Sequence, residues 1–147
     1  MDIYTDGGCH GNPGPGGWAF IALRSPTAYE TSGNEPATTN NRMELTAVIK
    51  ALEYAGSLPP AETNQLRIYS DSQYVRQGIT IWIHNWLRNG WKTAGKDPVK
   101  NQALWQRLHE LAEGFAIDWQ WVRGHSGATF NERCDALVQV AIKQLEP

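Results

Sequence analysis

Four acidic residues stand where an acid is hard to explain as ordinary surface. Asp6 follows an apolar strand-like run and precedes two glycines. Asp71 ends a second such run and opens a helix. Glu44 precedes Leu45 and lies four residues before Val48 and eight before Leu52, at the edge of a helical apolar stripe. Asp135 follows Cys134 near the start of the last helix. An ionised carboxylate against an apolar face is costly unless something pairs with it. Four converging acids would repel one another, and a divalent cation relieves that repulsion. An all-oxygen donor set with no thiolate or imidazole suits Mg²⁺ or Mn²⁺. Taken singly, most of these acids also have ordinary explanations. Asp6 fits a turn before Gly7-Gly8, Asp71 a helix cap, Asp135 a helix-dipole partner, and Glu44 a surface pair with Arg42 or Lys50. Only Glu44 fits its ordinary explanation badly. Spacing alone does not prove that the four converge, because long connections separate them.

The elements that must position these acids can be read from pattern. Residues 3–5 form a short strand running into Asp6-Gly7-Gly8, and residues 11–17 are turn chemistry. Strands are expected at 18–23 and, more weakly, at 28–33, in series with the first as an antiparallel meander. Thr38, Thr39, Asn40 and Asn41 offer caps for a helix whose stripe is Leu45, Val48, Ile49 and Leu52, ended by Gly56 and Pro59-Pro60. A strand at 66–70 brings Asp71 to its end, and a helix starts at Asp71-Ser72-Gln73. A short helix is expected at 79–87, a longer one at 101–113, a strand at 115–122, a glycine-containing loop at 123–128 and a final helix at 131–145. Strands separated by helices require crossovers and become parallel neighbours. The fold class is therefore α/β: a mixed sheet, antiparallel at the N-terminus and parallel beyond, flanked by helices. Ligands in such sheets bind beyond the carboxyl ends of the strands, which Asp6 and Asp71 mark.

The chain has 147 residues, enough for one domain with a single core, and a net charge of −2. That balance is uneven. Arg76, Arg88, Lys92, Lys96, Lys100 and Arg107 lie in one stretch against a single acid, Asp97, and the rest of the chain is acidic. Such a basic lobe is the footprint of a polyanion partner or a solvated face. Trp82, Trp86 and Trp91 accompany it, whereas Trp18, Trp105, Trp119 and Trp121 read as core or sheet packing. Cys9 and Cys134 form no disulfide or Cys-x-x-Cys pattern, so a reducing cytoplasm is expected. No signal-peptide pattern and no apolar run of the roughly 20 residues needed to span a bilayer are visible.

Motifs along the whole chain resemble those of the bacterial type 1 ribonucleases H. They are Thr5-Asp6-Gly7-Gly8-Cys9, Gly11-Asn12-Pro13-Gly14, Thr38-Thr39-Asn40-Asn41-Arg42-Met43-Glu44 and Ser70-Asp71-Ser72-Gln73-Tyr74-Val75. Trp82-Ile83-His84-Asn85-Trp86, Gly90-Trp91-Lys92 and Pro98-Val99-Lys100-Asn101 follow in the same order. Val122-Arg123-Gly124-His125 and Asn131-Glu132-Arg133-Cys134-Asp135 complete the set. The resemblance implies a five-stranded ribonuclease H-like fold in one catalytic domain, 1–147, with a basic protrusion at about 82–101. It implies catalytic and metal-holding roles for Asp6, Glu44, Asp71 and Asp135, and a catalytic loop histidine at His125. It implies an RNA–DNA hybrid as substrate, bound in the minor groove through Asn12, Asn40, Asn41 and Gln73, with Asn131 also at the substrate. Thr39 and Asn85 match a DNA-phosphate pocket, Tyr74, Trp82 and Trp86 a channel for the DNA strand, and Lys92, Lys96 and Lys100 the protrusion's basic face. No membrane partner is implied, and a monomer is expected.

Two departures stand out. Gly8 replaces a serine common in the family, which implies a looser strand-end turn, and Leu87, Asn89 and Asp97 make the protrusion less basic, which implies weaker substrate affinity. The implied chemistry is hydrolysis of the RNA strand with two divalent ions, leaving a 5′-phosphate and a 3′-hydroxyl. Three alternatives are a binding module without chemistry, a polynucleotidyl transferase of the same fold, and a metal-free glycosidase using paired carboxylates. Retention of all four acids argues against the first, and motifs outside the acids argue against the second. Metal dependence separates the third.

Overall fold

The computed structural model describes residues 1–93, 95–123 and 129–146. Five strands form one sheet in the order β3-β2-β1-β4-β5. β1 (Asp2–Cys9), β2 (Gly14–Arg24) and β3 (Thr27–Thr38) make the antiparallel meander. β4 (Leu66–Ser70) lies parallel to β1, and β5 (Ile117–Trp121) parallel to β4. The mixed α/β sheet expected from the pattern is the sheet observed.

Alternation along the strands supplies both layers. Ile3, Phe20, Ala22 and Ile68 face a core shared with α1 (Asn40–Gly56) and α5 (Gln102–Ala112). Ala19 faces the opposite side, where it packs with Val138 and Ile142 of α6 (Thr129–Lys143). The Thr39 hydroxyl starts α1 by accepting from the Arg42 N–H at 3.2 Å. A one-turn helix, α2 (Pro60–Thr63), follows α1, so Pro60 opens a helical turn as well as ending the region of α1, as proline at a first helical position allows.

The strands run longer than pattern suggested. β1 continues to Cys9, β2 begins at Gly14 and β3 reaches Thr38. The glycine-rich residues 14–17 are therefore strand, apart from a register shift between Gly14 and Gly16. Gly8 pairs with Gly17 inside the ladder, so it is not a looser turn. The signal was misleading because these glycines serve close packing. A Cβ on Gly17 would meet the Val138 carbonyl oxygen of α6 at 2.9 Å.

Gly7 has the same role on the other face. A Cβ there would collide with the Met43 carbonyl group and the Glu44 nitrogen. The absence of a side chain lets the first turns of α1 lie directly on β1.

The basic segment is built on a helical run with one irregularity. α3 (Gln73–Gln77) passes through a π-helical turn (Gly78–Trp82) into α4 (Ile83–Arg88). Gly78 crosses Trp105, whose ring would occupy any Cβ placed there. Trp105 is wholly buried and anchors the lobe. Its ring lies 5.4 Å from those of Tyr74 and Trp86, and Trp86 in turn contacts Trp82 and Trp91. The Tyr74 hydroxyl accepts from Trp105 Nε1 at 2.9 Å and from Asn101 Nδ2 at 3.2 Å. Trp82, Trp86 and Trp91 thus fasten the lobe to Tyr74 and the buried Trp105.

The contrast between adjacent glycines is testable. Gly7→Ala must push α1 off β1, and overpacking against backbone costs about 1–3 kcal/mol or more. Its melting temperature should fall by roughly 5–10 °C, at about 2–4 °C per kcal/mol. Gly8→Ala meets only Val138 Cγ1, at 3.5 Å, and its melt should stay within about 2 °C of the parent. Equal melts for the two variants would show that the α1–β1 approach is not constrained.

Candidate active site

Three elements deliver three carboxylates to one place. β1 and β4 run parallel only as far as Tyr4 and Tyr69. Past that point they separate, leaving Asp6 on the extension of β1 and Asp71 just beyond β4. α1 fills the space above them and lowers Glu44 into it. One carboxylate oxygen from each of Asp6, Glu44 and Asp71 lies within 4.8 Å of the others. The Ser72 hydroxyl, not Asp71, caps α3 by accepting from the Val75 N–H at 3.1 Å. Glu44 is only 6% exposed, so a surface ion pair is not its role.

The three acids open into a cleft of about 510 Å³. Asp135 lines it from α6, outside the close trio but near enough to repel Asp6. Burial, then repulsion from Asp71, pushes Asp6 up from the usual carboxylate range to about 7, although the Gly7 N–H donating at 2.9 Å opposes the rise. Burial also drives Glu44 well above its ordinary value, followed by repulsion from Asp6 and Asp71; the Gly7 N–H and the Ser72 hydroxyl pull the other way. None of the residues lining the cleft is a lysine or arginine. The donor set is all oxygen, and no lysine or arginine among the described lining residues balances its charge. It therefore fits a hard divalent cation.

Other sequence candidates divide into two groups. Asn40, Asn41, Gln73, Tyr74 and Asn131 line the same cleft. Asn12, Thr39, Trp82, Asn85, Trp86, Lys92, Lys96 and Lys100 do not. Asn12 holds the rim by accepting from the Asn40 N–H at 3.2 Å, and Thr39 is the cap of α1. Asn85 accepts from Arg88 on α4, and Lys92 and Lys96 border a separate shallow depression on the lobe. His125 lies outside the described residues. Sequence reading missed Cys9, His10, Ser72, Glu132 and Gln139 in the cleft lining. Glu132 and Gln139 were findable, since they sit three residues before and four after Asp135, on one face of α6.

The family model for RNase H matches residues 1–143. The chain belongs to the RNase H family. Ribonuclease H of Bradyrhizobium sp. (strain ORS 278) is 55% identical over 139 residues, spanning 95% of this chain and 87% of that protein. Ribonuclease H of Polaromonas sp. (strain JS666 / ATCC BAA-500) is 54% identical over 144 residues, with 97% and 87% covered. Among solved structures, LC9-RNase H1, a type 1 RNase H with the type 2 active-site motif, superposes with a TM-score of 0.83 at 35% identity, covering 99% of this chain and 72% of that one. LC11-RNase H1 in complex with an RNA/DNA hybrid shares the fold, with a TM-score of 0.67 at 23% identity and coverage of 97% and 96%. Within this RNase H, the converging acids of the sequence pattern are Asp6, Glu44 and Asp71, with Asp135 on the facing wall.

The raised acids determine how the metal-free RNase H responds to pH. Unfolded carboxylates titrate near pH 4. Between there and about pH 7 the folded chain binds more protons than the unfolded one, so this contribution to stability is full below pH 4 and lost as pH rises through 7. Asp6→Asn removes the dependence at its source. In EDTA, the variant should melt near the parent temperature at pH 5 and on the order of 5 °C above it at pH 8. A variant that melts lower than the parent at pH 8 would make Asp6 a structural turn residue.

Proposed function

We propose that this protein is an endoribonuclease that hydrolyses the RNA strand of RNA–DNA hybrids. The observation that carries the reading is the uncompensated carboxylate trio at the floor of a cleft rimmed by amide side chains. Asp6, Glu44, Asp71 and Asp135 would hold two divalent ions, Mg²⁺ by preference with Mn²⁺ as a substitute. When bound, such ions activate a water and stabilise the charge that develops on a leaving oxygen. Water oxygen then bonds to phosphorus as the bond to the ribose 3′-oxygen breaks. The products are a 5′-phosphate and a 3′-hydroxyl.

The remaining roles belong to the chain's own side chains. Asn40, Asn41 and Gln73 can donate to and accept from a 2′-hydroxyl, the group that separates RNA from DNA, and Asn131 lines the same cleft with its Nδ2 buried. Asn12 supports that rim through the Asn40 backbone. Tyr74, Trp82 and Trp86 present the aromatic flank for the DNA strand, and Thr39 with Asn85 a phosphate contact on it. Lys92, Lys96 and Lys100 are exposed on the lobe and supply sequence-independent attraction to the backbone. His125 assists proton transfer or product release. The whole chain acts as one catalytic domain with its protrusion at about 82–101, as a monomer in the cytoplasm. LC11-RNase H1, which shares the fold, has been crystallised with an RNA/DNA hybrid, and no helix among the described residues is long and apolar enough to cross a membrane.

Cleavage of a hybrid, duplex RNA and duplex DNA, each with Mg²⁺ and with EDTA, tests the reading. Only the RNA of the hybrid with Mg²⁺ should be cut. Asp6→Asn should abolish cutting, whereas His125→Ala should lose only about 10²-fold in turnover. Equal cutting of duplex RNA, or activity surviving EDTA, would overturn the assignment.

A further inference from the structure

Among the described residues lining the cleft, one can carry positive charge, and it is not among those assigned above. His10 follows directly on β1, and its imidazole lines the cleft together with the acids. Strand alternation sends Asp6, Gly8 and His10 toward the same face. Contacts agree: a Cβ on Gly8 would touch Val138 of α6, and His10 Nε2 lies 2.8 Å from Gln139 Oε1, on the same helix. The backbone at His10 is fixed as well, its N–H donating to the Pro15 carbonyl at 2.8 Å.

This pairing orients the ring. A carboxamide oxygen only accepts, so Nε2 carries the hydrogen it donates to Gln139. Nδ1 then has no side-chain partner among the described residues, and neither has the Gln139 amide nitrogen. As an imidazolium the ring also carries a hydrogen at Nδ1, which together with the Gln139 amide N–H can donate to a ligand on this exposed wall of the cleft. Asp6, Glu44, Asp71, Glu132 and Asp135 all line that cleft, with no lysine or arginine to offset them. Among the described lining residues, a nucleic-acid strand entering it meets carboxylates, neutral amides and the His10 imidazole.

We propose that His10, held by Gln139, is a substrate-positioning residue that binds a non-scissile phosphate of the strand being cut. This rests on the hybrid-cleaving reading above. His10 and Asp6 are four residues apart, roughly 13 Å at about 3.3 Å per residue of strand. His10 therefore reaches a different phosphate from the one at the acids. Gln139 is a positioning residue acting through the ring, and the contact fixes the register of the RNA strand over the trio.

Steady-state kinetics on a hybrid, with a single neutral methylphosphonate walked along the RNA strand, test this. His10→Ala should raise KM about 5–10-fold and change kcat less than 2-fold. Gln139→Leu should raise KM about 2–3-fold, and His10→Lys should restore most of the affinity. One neutral linkage away from the cut should raise KM in the parent yet add nothing in His10→Ala, as coupled partners require. His109→Ala, on α5, serves as the distant control and should match the parent. An unchanged KM in His10→Ala, a loss that adds to the effect of every linkage, or a kcat loss as large as the KM rise would overturn the proposal. A parent that cuts no hybrid would instead overturn the functional reading beneath it.

Discussion

The active-site geometry depends on how closely α1 approaches β1 at Gly7. Backbone meets backbone there, with no room for a Cβ between them. That contact sets the height of α1 over the sheet and hence the depth of Glu44. Were the helix held off by a side chain, Glu44 would rise toward solvent and its carboxylate would leave the trio. The meander strands provide the platform, and the divergence of β1 from β4 beyond Tyr4 provides the opening. Gly17 does for α6 what Gly7 does for α1. Together they let helices lie near enough to both faces of the extended strands for Asp135 and Asp6 to address one cleft.

The result is a site assembled against its own electrostatics. Packing buries Glu44 and brings Asp6 and Asp71 against it, although burial disfavours the Asp6 and Glu44 charges and the neighbouring carboxylates repel them. No lysine or arginine of the cleft lining offsets this. The fold tolerates the cost because the core beneath is continuous, from Ile3 and Ile68 through Leu45, Val48 and Leu52 to Trp105. Local destabilisation at a functional site supported by consistent packing elsewhere is the expected compromise. A divalent cation held by the trio would restore the charge balance that packing removes.

Much of this was legible in the sequence. Helical periodicity placed Glu44 on the inner edge of α1 and an acid has no reason to be there, so it was the most informative residue. β4 and the position of Asp71 followed from a short apolar run ending at Ser70. Convergence was not legible, because the distance between Asp6 and Asp71 depends on a parallel crossover that no local pattern specifies. Resemblance supplied it. The glycine-rich stretch read as turn because glycine marks both turns and close approaches, and only the neighbours distinguish them. His10 and Gln139 were invisible for a similar reason: the pair joins residues 129 positions apart. The resemblance implied substrate contacts for Thr39 and Asn12, and the structure shows both supporting the N-terminus of α1.

The central claim is that packing holds Asp6 and Glu44 partly protonated until a cation takes the protons' place. Calorimetric titration of Mn²⁺ into the protein, at pH 6 in two buffers of different ionisation enthalpy, counts the protons released per ion bound. With Asp6 raised to about 7, binding at pH 6 should release a large fraction of a proton or more, and the release should shrink as the pH is raised and in Asp6→Asn. Binding that releases no proton at pH 6 would contradict the account.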